Sequence, residues 1–155
     1  MNAALAVAAL KKRGWPCATC ESLTGGLICA TLVDVPGAST VVRGGLVTYQ
    51  TDTKTLLAGV DAALIEAHGV VSDPVARAMA EGTRVRLGVD IAVSATGLAG
   101  PDGGTPECPV GTVYIGVSTA RETRALRLTL EGDRASIRRQ AVERAIEAII
   151  ETARG

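Results

Sequence analysis

Three side chains in the stretch GASTVVRGGLVTYQTDTK (residues 37–54) have the types needed for nucleophilic chemistry: Ser39, Tyr49 and Lys54. A serine nucleophile needs a base to accept its proton. Histidine, the commonest base, occurs once, as His68, in a segment without any triad motif. A serine–lysine pair is the remaining arrangement. Its lysine works only as the neutral amine, so burial or a neighbouring cation must lower its pKa. Taken one at a time, Lys54 reads as a surface lysine and Tyr49 as an ordinary strand tyrosine. Spacing alone does not join them.

Two glycine-rich stretches could build a pocket for such a pair. In ESLTGG (21–26), Ser22 or Thr24 can cap a following helix, and Gly25 and Gly26 leave backbone amides open at its start. Such a terminus suits a phosphate or carboxylate, and equally an ordinary tight strand–helix turn. It is neither a phosphate-binding P-loop nor a full dinucleotide fingerprint. SATGLAGPDGG (94–104) brings its backbone close to a ligand or to another loop. Arg134 and Arg138, one turn apart at the start of the last predicted helix, oppose the helix dipole and hint at a nearby anion.

The elements that must position these residues follow from periodicity and punctuation. Helices are predicted over 3–13, 26–35, 51–59, 61–69, 72–88 and 133–153. Strands are predicted over 15–21, 44–50, 90–97, 110–119 and 123–130, the last two forming a hairpin through Ala120, Arg121 and Glu122. The final helix carries an apolar stripe of Ile137, Ala141, Val142, Ala145, Ile149 and Ile150. Alternating strands and helices plus one hairpin predict a single three-layer α/β/α domain with a mixed sheet, spanning 1–155. Loops at the carboxyl ends of its strands then converge on one crevice, with ESLTGG and ATGLAGPDGG both lining it.

Composition narrows the function classes. The chain has 155 residues, 47% hydrophobic, with no Phe and only 2% aromatic, so the core must be aliphatic. Formal net charge is zero and the Lys and Arg residues are scattered, which argues against nucleic acid as a partner. The N-terminal apolar run is short and its charges follow it, unlike a secretion signal. No run is long enough to cross a bilayer, so a cytoplasmic protein without membrane partners is expected. Cys17 and Cys20 form a C-x2-C inside a predicted strand, where residues three apart face opposite sides. No second ligand pair exists, so buried free thiols are expected, with no metal and no cofactor.

Taken together, seven stretches resemble the CinA C-terminal domain family, including its stand-alone PncC-type nicotinamide-nucleotide amidohydrolases. They are ESLTGG (21–26), DVPGAS (34–39), GGLVTYQTDTK (44–54), VS (71–72), SATGLAGPDGG (94–104), PVGTVYIGV (109–117) and EGDRASIRRQA (131–141), in the family order and covering nearly the whole chain. The large N-terminal CinA domain has no counterpart, so the resemblance is to the stand-alone form. It implies hydrolysis of the carboxamide of nicotinamide mononucleotide, giving nicotinate mononucleotide and ammonia without a metal, in pyridine nucleotide salvage. By resemblance, Ser39 is the nucleophile, with Ser22 the alternative. Lys54 is the general base and Tyr49 assists proton transfer. Ser22, Thr24, Gly25, Gly26, Thr96, Gly97 and Gly100 contact substrate, as does Arg138 or Arg134. A homo-oligomer, dimer favoured, is also implied. The alternative is a catalytically silent nucleotide-binding or regulatory module of the same family. Two positions depart from the family pattern: Leu23 stands where cysteine is usual, and Ala38 where the first serine of Gly-Ser-Ser is usual.

Overall fold

The computed structural model describes residues 2–155. The element order is α1 (Ala3–Arg13), β1 (Cys17–Glu21), α2 (Leu27–Val33), β2 (Val42–Val47), α3 (Thr51–Ala58), α4 (Ala62–His68), α5 (Asp73–Leu87), β3 (Ile91–Gly97), β4 (Thr112–Thr119), β5 (Thr123–Thr129) and α6 (Arg134–Arg154). One 3-10 turn, Ala38–Thr40, leads into β2. The sheet runs β2-β1-β3-β4-β5. Its first three strands are parallel, and β4 and β5 are antiparallel additions. This is the expected mixed sheet between two helical layers.

The two layers divide the core. Helices α1, α2 and α6 cover one face, with Leu10, Ile28, Leu32, Ile137, Ile146 and Ile149 buried against Ile91, Val93 and Ile115. Helix α5 covers the other face, with α3 and α4 packed on it through Val60, Ile65, Val75 and Met79. Cys17 and Cys20 fall into opposite layers, as a three-residue strand spacing requires. Both are buried free thiols, and burial pushes the Cys17 thiol up to about 12. The aliphatic core needs close approach instead of aromatic bulk. Gly82 on α5 lies directly against the Ala58 carbonyl of α3, where any Cβ would collide with backbone. That contact seats α3, the helix that carries Lys54.

Strand β2 starts earlier and stops earlier than its sequence suggests. The amide of Thr48 still bonds the Glu21 carbonyl at 2.8 Å, but Tyr49 and Gln50 already turn into α3. Helix α2 ends at Val33, so the segment through Pro36 and the 3-10 turn connects it to β2. The chain leaves β1 toward β2 on one side, whereas β3 occupies the other side of β1. The carboxyl ends of β1 and β3 therefore flank a crevice at a change of strand order, where α/β sheets commonly bind ligands.

Candidate active site

At the end of β1 the chain makes its turn through Ser22. The Ser22 amide is held by the Ala95 carbonyl of β3 at 2.9 Å, and Gly25 donates back to the Ser22 carbonyl at 3.1 Å. Gly25 and Gly26 adopt positive φ, 60° and 102°, which lets the turn close within four residues before α2 begins.

Glu21, immediately before the serine, is 1% exposed. Its carboxylate accepts from the Ile28 amide at 2.7 Å, the Cys29 amide at 3.0 Å and the Thr19 hydroxyl at 3.0 Å. The first turn of α2 is thus capped from within by a buried anion, a favourable position for a carboxylate. The amides of Ile28 and Cys29 are thus taken by Glu21 and that of Gly25 by the Ser22 carbonyl, so the helix start is more fully engaged than the expected open anion site. Thr24, Gly25 and Gly26 do not line the cavity that holds Ser22. Thr24 is fully buried, and its hydroxyl has no hydrogen-bond partner among the described residues. The role of Glu21 was missed in the sequence, although a carboxylate one residue before a Ser-x-Thr-Gly-Gly turn and a helix was the available signal.

Lys54 is buried, not a surface lysine: it is 2% exposed although it lies in the first turns of α3. Its Nζ donates to the Thr48 carbonyl at 2.7 Å and to Ser22 Oγ at 3.1 Å, with a longer contact of 3.5 Å to the Tyr49 carbonyl. Among the described residues, no carboxylate forms an ion pair with it. Burial lowers its pKa from the ordinary 10.5, with the Cys20 thiol beneath it acting weakly in the other direction. A buried amine without a counter-ion, in hydrogen-bond reach of a serine hydroxyl, has the geometry and the electrostatics of a general base.

The cavity around the pair measures about 300 Å³. Ser22, Leu23, Tyr49, Thr51 and Lys54 form one wall, and Val70, Val71 and Thr96 through Gly100 form the other. Asp102 and Arg134 stand at its mouth. Thr96 donates its hydroxyl to the Val70 carbonyl at 2.9 Å, which ties the end of β3 to the loop before α5. Gly97 is required by close approach, since a Cβ there would lie 2.8 Å from the Thr112 carbonyl. Arg134 spans the mouth: it donates to the Gly100 carbonyl at 2.8 Å and to the Tyr49 hydroxyl at 3.0 Å. A larger, shallower depression of about 870 Å³ lies beyond Tyr49, lined by Gln50, Asp52, Leu56 and Ile65 among others, and neither Ser22 nor Lys54 lines it.

Several expected site residues are not brought together. Ser39 sits exposed in the 3-10 turn before β2, at the amino end of the strand, whereas Lys54 lies beyond its carboxyl end. Six residues of strand separate them, about 17 Å. Within one chain Ser22, not Ser39, faces the lysine. Arg138 does not reach the cavity either. Its guanidinium bonds the carbonyls of Leu23 at 2.8 Å and Thr24 at 3.3 Å, so it holds the serine turn in shape from behind. The hydroxyl of Tyr49 is engaged by Arg134, and only the tyrosine's backbone carbonyl faces Lys54.

Comparison with known proteins agrees with this fold. Residues 2–153 match the model of the CinA C-terminal domain. The chain belongs to the CinA C-terminal domain family. A CinA-like protein of Gemmatimonas aurantiaca is 47% identical over 147 residues, 95% of this chain and 34% of the relative. A CinA-like protein of Mycolicibacterium paratuberculosis is 53% identical over 131 residues, 80% of this chain and 30% of the relative. The chain thus spans about a third of the length of the curated relatives it matches. Among solved structures, a competence/damage-inducible protein from Agrobacterium tumefaciens superposes with a TM-score of 0.92 at 34% identity, covering 96% of this chain and 93% of that one. A CinA-superfamily protein from Klebsiella pneumoniae superposes with a TM-score of 0.93 at 32% identity, covering 99% and 98%. In this CinA domain no helix among the described residues is long and apolar enough to cross a membrane, and no cluster of metal-ligating side chains occurs.

Proposed function

We propose that this CinA domain hydrolyses the carboxamide of nicotinamide mononucleotide to nicotinate mononucleotide and ammonia, through Ser22 as nucleophile and Lys54 as base. The observation that carries the reading is the buried Lys54 Nζ, 3.1 Å from Ser22 Oγ and without a counter-ion among the described residues.

Ser22 gives its proton to neutral Lys54 as Oγ attacks the carboxamide carbon. The carbonyl oxygen becomes an oxyanion. The amide of Leu23, a residue of the cavity wall, meets no acceptor among the described residues and is its candidate donor. One such donor is commonly worth about 3 kcal/mol in the transition state. Lys54 then protonates the departing nitrogen, ammonia leaves, and an ester to Ser22 remains. Water attacks that ester while Lys54 takes its proton, and collapse releases the carboxylate and returns the proton to Ser22. Arg134 at the mouth meets the anionic end of the nucleotide, with the ring and hydroxyl of Tyr49 beside it. Tyr49 thereby holds Arg134 in place, and proton transfer runs between Ser22 and Lys54 alone.

A silent module would have no use for a buried, unpaired lysine, because burying an amine that could be charged is destabilising. The test is ammonia release from nicotinamide mononucleotide with wild type and Ser22→Ala. Release by wild type and its loss in the variant support the reading. No release by wild type at any pH contradicts it.

A further inference from the structure

Three side chains that line the Ser22–Lys54 cavity can carry a full charge at neutral pH: Lys54, Asp102 and Arg134. The proposed reaction uses Lys54 as the neutral amine and Arg134 against an anion. It leaves Asp102 without a role. Asp102 is exposed at the mouth, and among the described residues it forms no ion pair. Arg134, on the same rim, directs its guanidinium to the neutral Gly100 carbonyl and Tyr49 hydroxyl. The mouth therefore presents one charge of each sign, and the two are not paired with each other. The loop that carries Asp102 is fixed on both sides. The Leu98 amide donates to the Thr112 carbonyl at 3.0 Å, and the Leu98 carbonyl accepts from the Gly111 amide at 2.8 Å. Gly104 packs so closely that a Cβ there would lie 2.8 Å from the Val110 amide nitrogen. Arg134 holds the Gly100 carbonyl between these points, at 2.8 Å. Asp102 thus lies in a short span anchored at both ends, and the fold itself sets its place at the mouth.

We infer that Asp102 selects a cationic pyridinium ring over a neutral ring bearing the same carboxamide. The inference rests on the proposed amidohydrolase reading, because it names what that cavity prefers. In a nicotinamide nucleotide the ring nitrogen carries a positive charge and the phosphate a negative one. With the carboxamide carbon at Ser22 Oγ, the ring lies among Leu23, Val70, Val71 and Leu98, which offer apolar surface and no charge. The ring nitrogen bears the ribose, so it turns toward the mouth, the way the ribose and phosphate must extend. There the Asp102 carboxylate meets the ring charge, and Arg134 meets the phosphate. An unlike charge at close range favours the charged ring over its neutral counterpart, and apolar walls weaken the screening by water. The same ring charge disfavours a protonated Lys54 at the inner end, which keeps the base in its active form. The consequence is that the site reads the oxidation state of the ring. The 1,4-dihydro form has the same carboxamide, ribose and phosphate but no ring charge, and it gains nothing from Asp102.

The test measures binding, so that it does not depend on turnover. Nicotinamide mononucleotide and its 1,4-dihydro form are each titrated calorimetrically into Ser22→Ala and into Ser22→Ala with Asp102→Asn. Asp102 is exposed and asparagine matches its shape, so the substitution removes the charge and leaves the fold intact. Asp102→Asn is expected to weaken the cationic nucleotide about fivefold, the scale of an unlike-charge contact partly open to solvent, and to leave the dihydro form within about twofold. An equal loss for both nucleotides overturns the proposal, because Asp102 would then serve the loop and not the ring charge. No loss for the cationic nucleotide, or no binding of it to Ser22→Ala, overturns it as well. The reaction is judged separately. If wild type releases no ammonia, the amidohydrolase reading fails, and the titrations still decide whether Asp102 reads the ring charge.

Discussion

ESLTGG and DVPGAS have nearly the same ingredients, a carboxylate, small residues and a serine, yet they lie at opposite ends of the parallel strands. The first follows β1 at the crevice, and its serine meets a buried amine. The second precedes β2 at the far end, and its serine is exposed in a single 3-10 turn. The difference lies in what surrounds each serine. Ser22 is placed by the Ala95 carbonyl of β3 in front and by Arg138 from behind, and Lys54 is driven into contact by the docking of α3 on Gly82. Composition marks both loops as special. Only strand order decides which one faces a base.

The largest expected effect breaks the pair itself. Lys54→Ala and Ser22→Ala should each reduce turnover by roughly a thousandfold or more, and the double variant should be little worse than either, because the two act as one unit. Steady-state ammonia release checks this, and additive losses would separate the two roles. Next comes the contrast between the arginines. Arg134→Ala, which removes a cation at the mouth, should raise KM for nicotinamide mononucleotide by about tenfold to a hundredfold, and the riboside should gain nothing from its presence. Arg138→Ala should instead lower thermal stability by about 1–2 kcal/mol, because it unties the Leu23 and Thr24 carbonyls. A KM effect confined to Arg138 would reverse the assignment.

Glu21 sharpens the same comparison through stability. Glu21→Ala strips the buried amides of Ile28 and Cys29 of their acceptor, and should cost about 1–3 kcal/mol in denaturant unfolding. The smallest effect is the pH dependence of the buried lysine. Its folded pKa lies below the unfolded 10.5, so between the two values the unfolded chain binds more protons and stability rises with pH. Below the folded pKa the full destabilisation is present, and above 10.5 it is gone. Lys54→Met should therefore raise the Tm, more at neutral pH than near pH 10.5. An equal rise at both would show that charge burial is not the cause.

Much of the fold was legible because periodicity and glycine punctuation are local signals. The six helices, the hairpin and the apolar stripe of α6 all came from spacing within one segment. The crevice was legible too, since two glycine-rich loops after strands β1 and β3 had to meet at adjacent strand ends. The pairing of Ser22 with Lys54 was not. It depends on a contact between residues 32 apart, and Lys54 carries no local mark of burial in TDTKTLLA. The same limit hid Glu21, whose partners lie across a turn. It also hid the division of labour between Arg134 and Arg138, which one turn of helix sends to different carbonyls.

The most direct test of the central claim is chemical identification of the acylated residue. Wild type mixed with substrate, quenched in acid within a few turnovers and digested, should yield a substrate-derived acyl group on the peptide containing Ser22, and none with Lys54→Ala. An acyl group on the peptide containing Ser39, or steady ammonia release with Ser22→Ala, would contradict the account.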